Sequence, residues 1–396
     1  MTTAATLSRW PGQATREVVT PEAIRFYCGL GGELYYNHHP IYTGPYACVS
    51  PVYGSTRKRP NRVCVPSDAL VLQDSGAFND ACLLLRGNER RMALMNAHRL
   101  TPEQALRRQE LHAEQFGYAD QIEARASYDV LIDETWMEDE TGLLMRTKQR
   151  WSETDAEEAV EETVGAAAYL DAHRNGIACV LSAQGVTPKQ YLRCAERILP
   201  FLKPDLGDIF GLGGWCILGR LPSLLPAFQE TICLVIPLLK REGVKRVHIW
   251  GCCFAEALGM LLWLCDHDAD GNLDEAHALH LSTDSVGPST RPVKQDRTTG
   301  YATWGYASWR NANYRPPPIL ESCKQLDAQG RKAPDCVPSM RCRGMERARH
   351  IALTADWFAH FREREPRFYA PIVPPRYRQL SWLDAPRHDT DEEVSP

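Results

Sequence analysis

The chain has 396 residues, of which 44% are hydrophobic and 24% charged, with a net charge of −5 and a pI near 6.2. These values describe an ordinary globular chain with room for a large core, and they exclude recognition of nucleic acid through overall charge. A local basic patch is still enough for phosphate contacts.

The N-terminal stretch MTTAATLSRWPGQATREVV lacks an apolar run of signal-peptide length. ALGMLLWLC (257–265) is too short to cross a bilayer. Fourteen cysteines follow no short secreted framework, so the expectation is a reduced, cytoplasmic chain with buried thiols and no membrane partner.

Apolar strand-like runs recur along the chain. They are ACVSPVY (47–53), DALVLQ (68–73), YDVLID (128–133), GIACVLSA (176–183), DIFGLGG (208–214), VKRVHIWG (244–251) and AHALHLSTD (276–284). Helical segments are expected between them. Residues 101–117 open with a Thr N-cap and a first-turn Pro, and 152–174 place acids early and a basic residue late. Further helices are expected over 187–202, over 221–243 with interruptions at Pro226 and Pro237, and over 253–268.

Strand alternating with helix, with strands buried on both faces, predicts a parallel sheet. Seven or eight such units predict a closed (β/α)8 TIM-type barrel over residues 1–300, including an N-terminal extension. No GxGxxG follows a first strand, which argues against a dinucleotide-binding sheet. The region 301–380 turns rich in Pro, Arg and aromatics, and is expected to form a C-terminal extension. Residues 381–396 read as a disordered tail.

Barrel catalysts sit at the C-terminal ends of the strands. Here successive strands end in Asp74 and Ser75, Asp133 and Glu134, Gln184 and Gly185, Gly211 to Gly214, and Asp284 and Ser285. Two carboxylates on different strands can divide nucleophilic and acid/base work. A third carboxylate with a carboxamide can read the edge of a purine, and glycine lets the backbone approach a flat base. Taken singly, each residue reads as readily as a turn former or helix cap.

In their order these elements resemble the tRNA-guanine transglycosylase superfamily, in particular its DNA-modifying branch, the DpdA-type deazapurine DNA transglycosylases. The family's DSGGFQ is similar to DSGAFND, its GIVQGG to CVLSAQGV and its GLAVGE to GLGGWC. Its late nucleophile strand is similar to HLSTDSVGPSTR. The resemblance covers roughly residues 65–295.

It implies Asp284 as nucleophile and Asp74 as general acid/base. Ser75, Asp133, Gln184, Gly213 and Gly214 would bind the base, with Phe78 as a stacking wall. The implied reaction exchanges guanine in DNA for a free 7-deazapurine base through a covalent aspartyl intermediate. Departures from the family pattern are Ala77, Asn79 and Cys216. The last replaces a glutamate that serves aminomethyl-deazapurines, so a nitrile base, 7-cyano-7-deazaguanine or a relative, is the expected substrate.

The family's zinc site has no regular counterpart. Cys323, Cys336 and Cys342 with His350 supply three sulfurs and an imidazole, a set that suits structural Zn2+, at irregular spacing. His360 lies on the same helix-like segment. The loop DHDADGNLDEAH (266–277) approaches a calcium-loop pattern but carries His277 where a Glu is required. Adjacent Cys252 and Cys253 read as buried thiols.

Nucleic-acid contacts are expected from STRKRPNR (55–62), SWRNANYR (308–315) and EREPRFYAPIVPPRYR (363–378), with Trp309, Tyr314 and Tyr377 for stacking. DNA is the expected partner and tRNA the alternative. A barrel glycoside hydrolase using Asp74 and Asp284, and a non-enzymatic nucleic-acid-binding barrel, stand as further readings. Oligomeric state and accessory proteins are left open by the sequence.

Overall fold

The structure is a computed structural model, in which residues 22–30, 35–36, 39–40, 45–51, 65–78, 80, 100–130, 136–138, 144–146, 153–218, 224–285, 351 and 354–372 are described. Eight strands close into one barrel: β1 (Ile24–Leu30), β2 (Tyr46–Val49), β3 (Leu70–Gln73), β4 (Ile122–Ala126), β5 (Ala178–Ala183), β6 (Ile209–Leu212), β7 (Arg246–Ile249) and β8 (His280–Ser285). Every neighbouring pair is parallel, and β1 pairs with both β2 and β8. The chain is therefore a (β/α)8 barrel, as its alternation predicts.

Five helices connect the later strands: α1 (Pro102–Phe116), α2 (Glu153–Ala172), α3 (Pro188–Ile198), α4 (Leu225–Arg241) and α5 (Ala255–Asp266). The start of α1 follows from its sequence. The Thr101 hydroxyl accepts from Gln104 N at 3.2 Å, and the Gln104 side chain returns the bond to Thr101 N at 3.0 Å. The proline expectation for α4 is corrected. Pro226 sits in the first turn, where its missing N–H costs nothing, and the helix runs through Pro237. The apolar face of α4, from Ala227 to Leu239, buries against the barrel and holds the helix together past the lost hydrogen bond.

Two apolar layers result. The outer one lies between strands and helices and includes Val71, Leu181, Leu212, Phe228 and Leu258. The inner one fills the barrel with Tyr27, Cys48, Leu72, Ala124, Ala126, Val180 and Ile209. Period-two alternation sorts side chains between the layers.

Two strand expectations differ from the structure. β1 (IRFYCGL) was absent from the predicted strands, although six of its seven residues are buried. The fourth strand is IEARA (122–126), not YDVLID (128–133). Its Glu123 and Arg125 disguise a buried strand, whereas the following apolar run imitates one. The register explains Glu123. Val71 pairs with Ile122 and Leu72 with Ala124, so Glu123 is the extra residue of a bulge. The bulge turns it into the barrel, and normal alternation then keeps Ala124 and Ala126 inside.

Glu123 closes the N-terminal end of the barrel with β1 and β7. It accepts from Arg25 at 3.0 Å and from Tyr27 Oη at 2.7 Å. Arg246 reaches the same carboxylate at 2.6 Å. Burial, and next the Glu123 charge, push the Tyr27 phenol up, so it remains a donor.

Residues 354–372 pack into the barrel's own core. Residues 354–359 are helical, and α6 (Phe361–Arg364) continues from them. Phe358 stacks on Phe26 of β1 at 4.9 Å, and Ala23 N donates to Ala359 O at 2.9 Å. Arg362 binds Asp266 at the end of α5 through two bonds of 2.8 and 2.9 Å, and Tyr369 Oη adds a third at 2.7 Å. A Cβ on Gly259 would lie 2.4 Å from Phe368 O, so α5 needs a glycine where this segment crosses it. The last described helix thus occupies the place in the ring that covers β1.

Candidate active site

Inward alternation brings Asp74, Gln184, Gly213, Trp250 and Asp284 to the C-terminal mouth of the barrel, each just at or beyond its strand. Asp74 N donates to Val49 O at 2.9 Å, which continues the β2–β3 ladder into the DSG turn. The carboxylate then accepts from Gly76 N at 3.2 Å, and Gly76 takes φ 82°, a left-handed value that suits glycine. Ser75 is buried next to it. Its hydroxyl accepts from Ala77 N at 3.2 Å and starts the short helical turn that contains Phe78.

The turn is fastened from behind by α1. Gln109 Nε2 donates to Asp74 O at 3.1 Å and to Ala126 O at 3.0 Å, joining the ends of β3 and β4. Arg108 donates to Ser75 O at 2.6 Å and grips Asp80 at 3.0 and 3.2 Å. Tyr128 Oη donates to the same carboxylate at 3.0 Å. Phe78, 42% exposed, is left facing solvent on this fixed turn.

Asp284 lies on β8 opposite. Its Oδ1 accepts from Gly251 N at 2.7 Å and contacts His248 Nε2 at 3.2 Å. Gly251 has φ 61°, and a Cβ there would meet the Cys216 Cβ at 2.9 Å, so a glycine is needed to present that N–H. Burial pushes the Asp74 carboxyl up, the Gly76 N–H opposes this, and the Asp284 charge pushes it further up. The two carboxylates therefore share one electrostatic environment, which favours a proton on Asp74.

Between them lies a polar floor. Gln184 Nε2 donates to Asp129 Oδ2 at 2.5 Å, and Gln184 is 2% exposed. Asp133 lies outside the described residues, and the carboxylate beside Gln184 is Asp129, three residues beyond the true end of β4. A Cβ on Gly213 would fall 2.0 Å from Gln184 Nε2, and Gly214 adopts φ 82° against Gln184 Oε1. The glycine pair is what lets the carboxamide lie flat across the strand ends.

Gly213→Ala is expected to displace Gln184, raising KM for a bound base at least roughly tenfold and costing about 1–3 kcal/mol of stability. Titration with base and urea unfolding read the two effects.

Burial pushes the Asp129 carboxyl up to about 6, although Gln184 donates to it. The folded value lies above the ordinary 3.8, so the acid form favours folding. That stabilisation is complete below about pH 4 and is lost as pH rises through about 6. Asp129→Asn is therefore expected to raise stability at pH 8 by at most about 3 kcal/mol and to change little at pH 4. Urea midpoints at the two pH values check this.

Sequence reasoning missed Asp129, His248, Trp250 and Gly251. The signal for two of them was available in VHIWG, because His248 and Trp250 share the inward parity of β7. Trp250 Nε1 donates to Ser182 Oγ at 2.8 Å, and the indole packs against the inner apolar layer.

Cys323, Cys336, Cys342 and His350 lie outside the described residues. His360 is exposed and bonds to Asp356 O at 2.9 Å. Among the described residues no group of His, Cys, Asp or Glu is arranged to hold a metal ion. In the 266–277 loop, Asp266 is bound by Arg362 and Tyr369, and Asp268 accepts from Asp270 N at 2.9 Å and Asn272 N at 2.8 Å. These two carboxylates are thus turned onto the chain itself. Cys252 is buried and Cys253 partly buried, both outside any disulfide, and the Cys253 thiol donates to Asp284 O at 3.8 Å.

The basic clusters 55–62 and 308–315, with Trp309, Tyr314 and Tyr377, also lie outside the described residues. In the described part of the third, Arg364 pairs with Asp356, and Arg367 lies 4.5 Å over the Phe368 ring. Among the described residues no helix is long and apolar enough to cross a membrane. No protein-family model matches the chain, and no curated protein sequence matches it.

Proposed function

We propose that the chain is a base-exchanging guanine transglycosylase that acts on DNA and inserts 7-cyano-7-deazaguanine or a close relative. The observation that carries this reading is the pairing of Asp74 and Asp284 across one barrel mouth, over a floor of Gln184, Asp129, Gly213 and Gly214. A hydrolase of sugars would need polar groups around several hydroxyls. A narrow carboxamide–carboxylate edge beside glycine backbone suits one planar heterocycle.

In this reading Asp284 attacks the anomeric carbon of an unstacked guanine nucleotide. The glycosidic electron pair leaves with the base, which takes the proton of Asp74. The incoming deazapurine loses a proton to Asp74 and displaces Asp284, so the configuration at the sugar is retained. The raised Asp74 supplies the acid form at the start. The first step is therefore expected to slow as pH climbs through that raised value. Cys216, partly buried beside Gly251, gives no carboxylate to an aminomethyl group, which favours a nitrile-bearing base.

The test is mass spectrometry of nucleosides after incubation with duplex DNA, single-stranded DNA or tRNA, each with 7-cyano-7-deazaguanine. Deazapurine in DNA is the expected result. Incorporation into tRNA alone moves the partner to tRNA. No incorporation anywhere, with the base bound or unbound, overturns the reading in favour of a binding protein.

A further inference from the structure

The inner face of β7 carries Arg246, His248 and Trp250, and the middle residue is fully buried. Its two ring nitrogens are both engaged. Nδ1 lies 3.0 Å from Ser282 Oγ, and Nε2 lies 3.2 Å from Asp284 Oδ1. The Ser282 hydroxyl has one proton, and it donates to Val247 O at 3.1 Å. With that proton on Val247 O, Ser282 accepts from the ring, and Nδ1 carries a hydrogen.

A neutral imidazole protonated at Nδ1 would turn the Nε2 lone pair toward a carboxylate oxygen. Two acceptors in contact repel, and a second proton on Nε2 turns the contact into a charge-assisted bond. Gly251 N binds the same oxygen from another side at 2.7 Å. Oδ1 is thus held twice, and Oδ2 is the oxygen outside that double contact, with the weakly donating Cys48 thiol within reach of the carboxylate.

We propose that His248 is a positioning residue for Asp284, an imidazolium that with Gly251 N–H fixes Oδ1 and assigns nucleophilic attack to Oδ2. The proposal rests on the nucleophile role given to Asp284 above. When Oδ2 bonds to the anomeric carbon, the glycosidic pair departs with the base and the Asp74 proton. Oδ1 becomes the carbonyl oxygen of the glycosyl ester, still facing both donors. When the incoming base attacks, the carbon–oxygen pair returns to Asp284. The charge then reappears where two donors already stand, which favours the aspartate as leaving group.

The groups facing His248 fit this role. Tyr27 of β1 and Trp250 meet the ring edge-on at 5.8 and 4.4 Å between centroids, Ser282 and Asp284 come from β8, and Cys28, Cys48 and Asp74 lie around Asp284. Arg246, Arg25 and Glu123 lie a layer below. Burial pushes the Cys28 thiol up to about 12 and raises Cys48 and Tyr27 as well, so these three stay neutral beside the carboxylates.

Nitrogen-15 correlation of the histidine rings in the full-length protein at about pH 7.5 tests the charge state, with His248 identified by the signal lost in His248→Gln. Protonation of both ring nitrogens is expected in the wild type, reverting to Nδ1–H alone in Asp284→Asn. A bare Nε2 in the wild type overturns the proposal. This measurement needs no substrate, so it stands or falls separately from the transglycosylase reading.

In the exchange reaction, His248→Gln keeps a neutral donor and is expected to lower kcat about tenfold, while His248→Leu lowers it about 100-fold or more. KM for the free base should stay within about twofold in both, since neither touches the base floor. A folded His248→Leu protein with wild-type kcat overturns the positioning role. If that variant fails to fold, the Gln variant and the ring measurement decide.

Discussion

Asp284→Asn is expected to lower base exchange by at least about 10⁴-fold and to remove any covalent protein–DNA adduct. The amide keeps the size of the carboxylate and can still accept from Gly251 N, so the barrel should retain its fold. What it loses is the electron pair that forms the bond to the sugar. Asp74→Asn removes only the proton carrier, and its effect should be smaller, about 10²–10⁴-fold. Denaturing electrophoresis of protein with labelled DNA separates the two carboxylates. The adduct should vanish with Asp284, and an adduct that survives Asp284→Asn would sink the nucleophile assignment.

The second large effect is on stability. Glu123→Ala is expected to lower the unfolding free energy by about 2–4 kcal/mol, read by urea denaturation. The substitution leaves Arg25 and Arg246 facing each other in the base of the barrel, and takes the acceptor from Tyr27. Solvent reaches these side chains in part, with Arg25 33% and Arg246 20% exposed, which keeps the cost below that of a fully enclosed charge. Glu123→Gln retains an acceptor but no charge, and should fall between. A stability unchanged in both variants would mean that the cations relax into water at no cost.

Most of the barrel is written locally. The strands ACVLSA and IFGL are buried on both faces, and they read as apolar runs because helices and barrel interior both need apolar side chains. The caps Thr101 and Thr187 are equally plain, each accepting from the backbone three residues on. β4 resisted because its information is not local. Glu123 makes sense only against Arg25 and Arg246, which come from strands 98 and 123 residues away.

The same reason hid part of the site. Asp74, Gln184 and Asp284 stand at legible strand ends, and their order along the chain announced a shared mouth. Asp129 was displaced by the misplaced strand, and His248 looked like one more polar residue within an apolar run. Its partners, Ser282 and Asp284, are supplied by the next strand and meet it only through register.

The contact between Phe26 and Phe358 ties together positions 332 residues apart, and β1 must also wait for β8 before the ring can shut. A ribosome reads the chain in one direction, so the first strand leaves the exit tunnel long before either partner exists. Its apolar outer face and unpaired edge are then open to solvent, chaperones or another nascent chain. The burden falls on the interval of synthesis after β1 emerges, and any pause late in the message lengthens it. Synonymous codon choice downstream of β8 would then influence how much chain reaches the native state, without altering a single side chain.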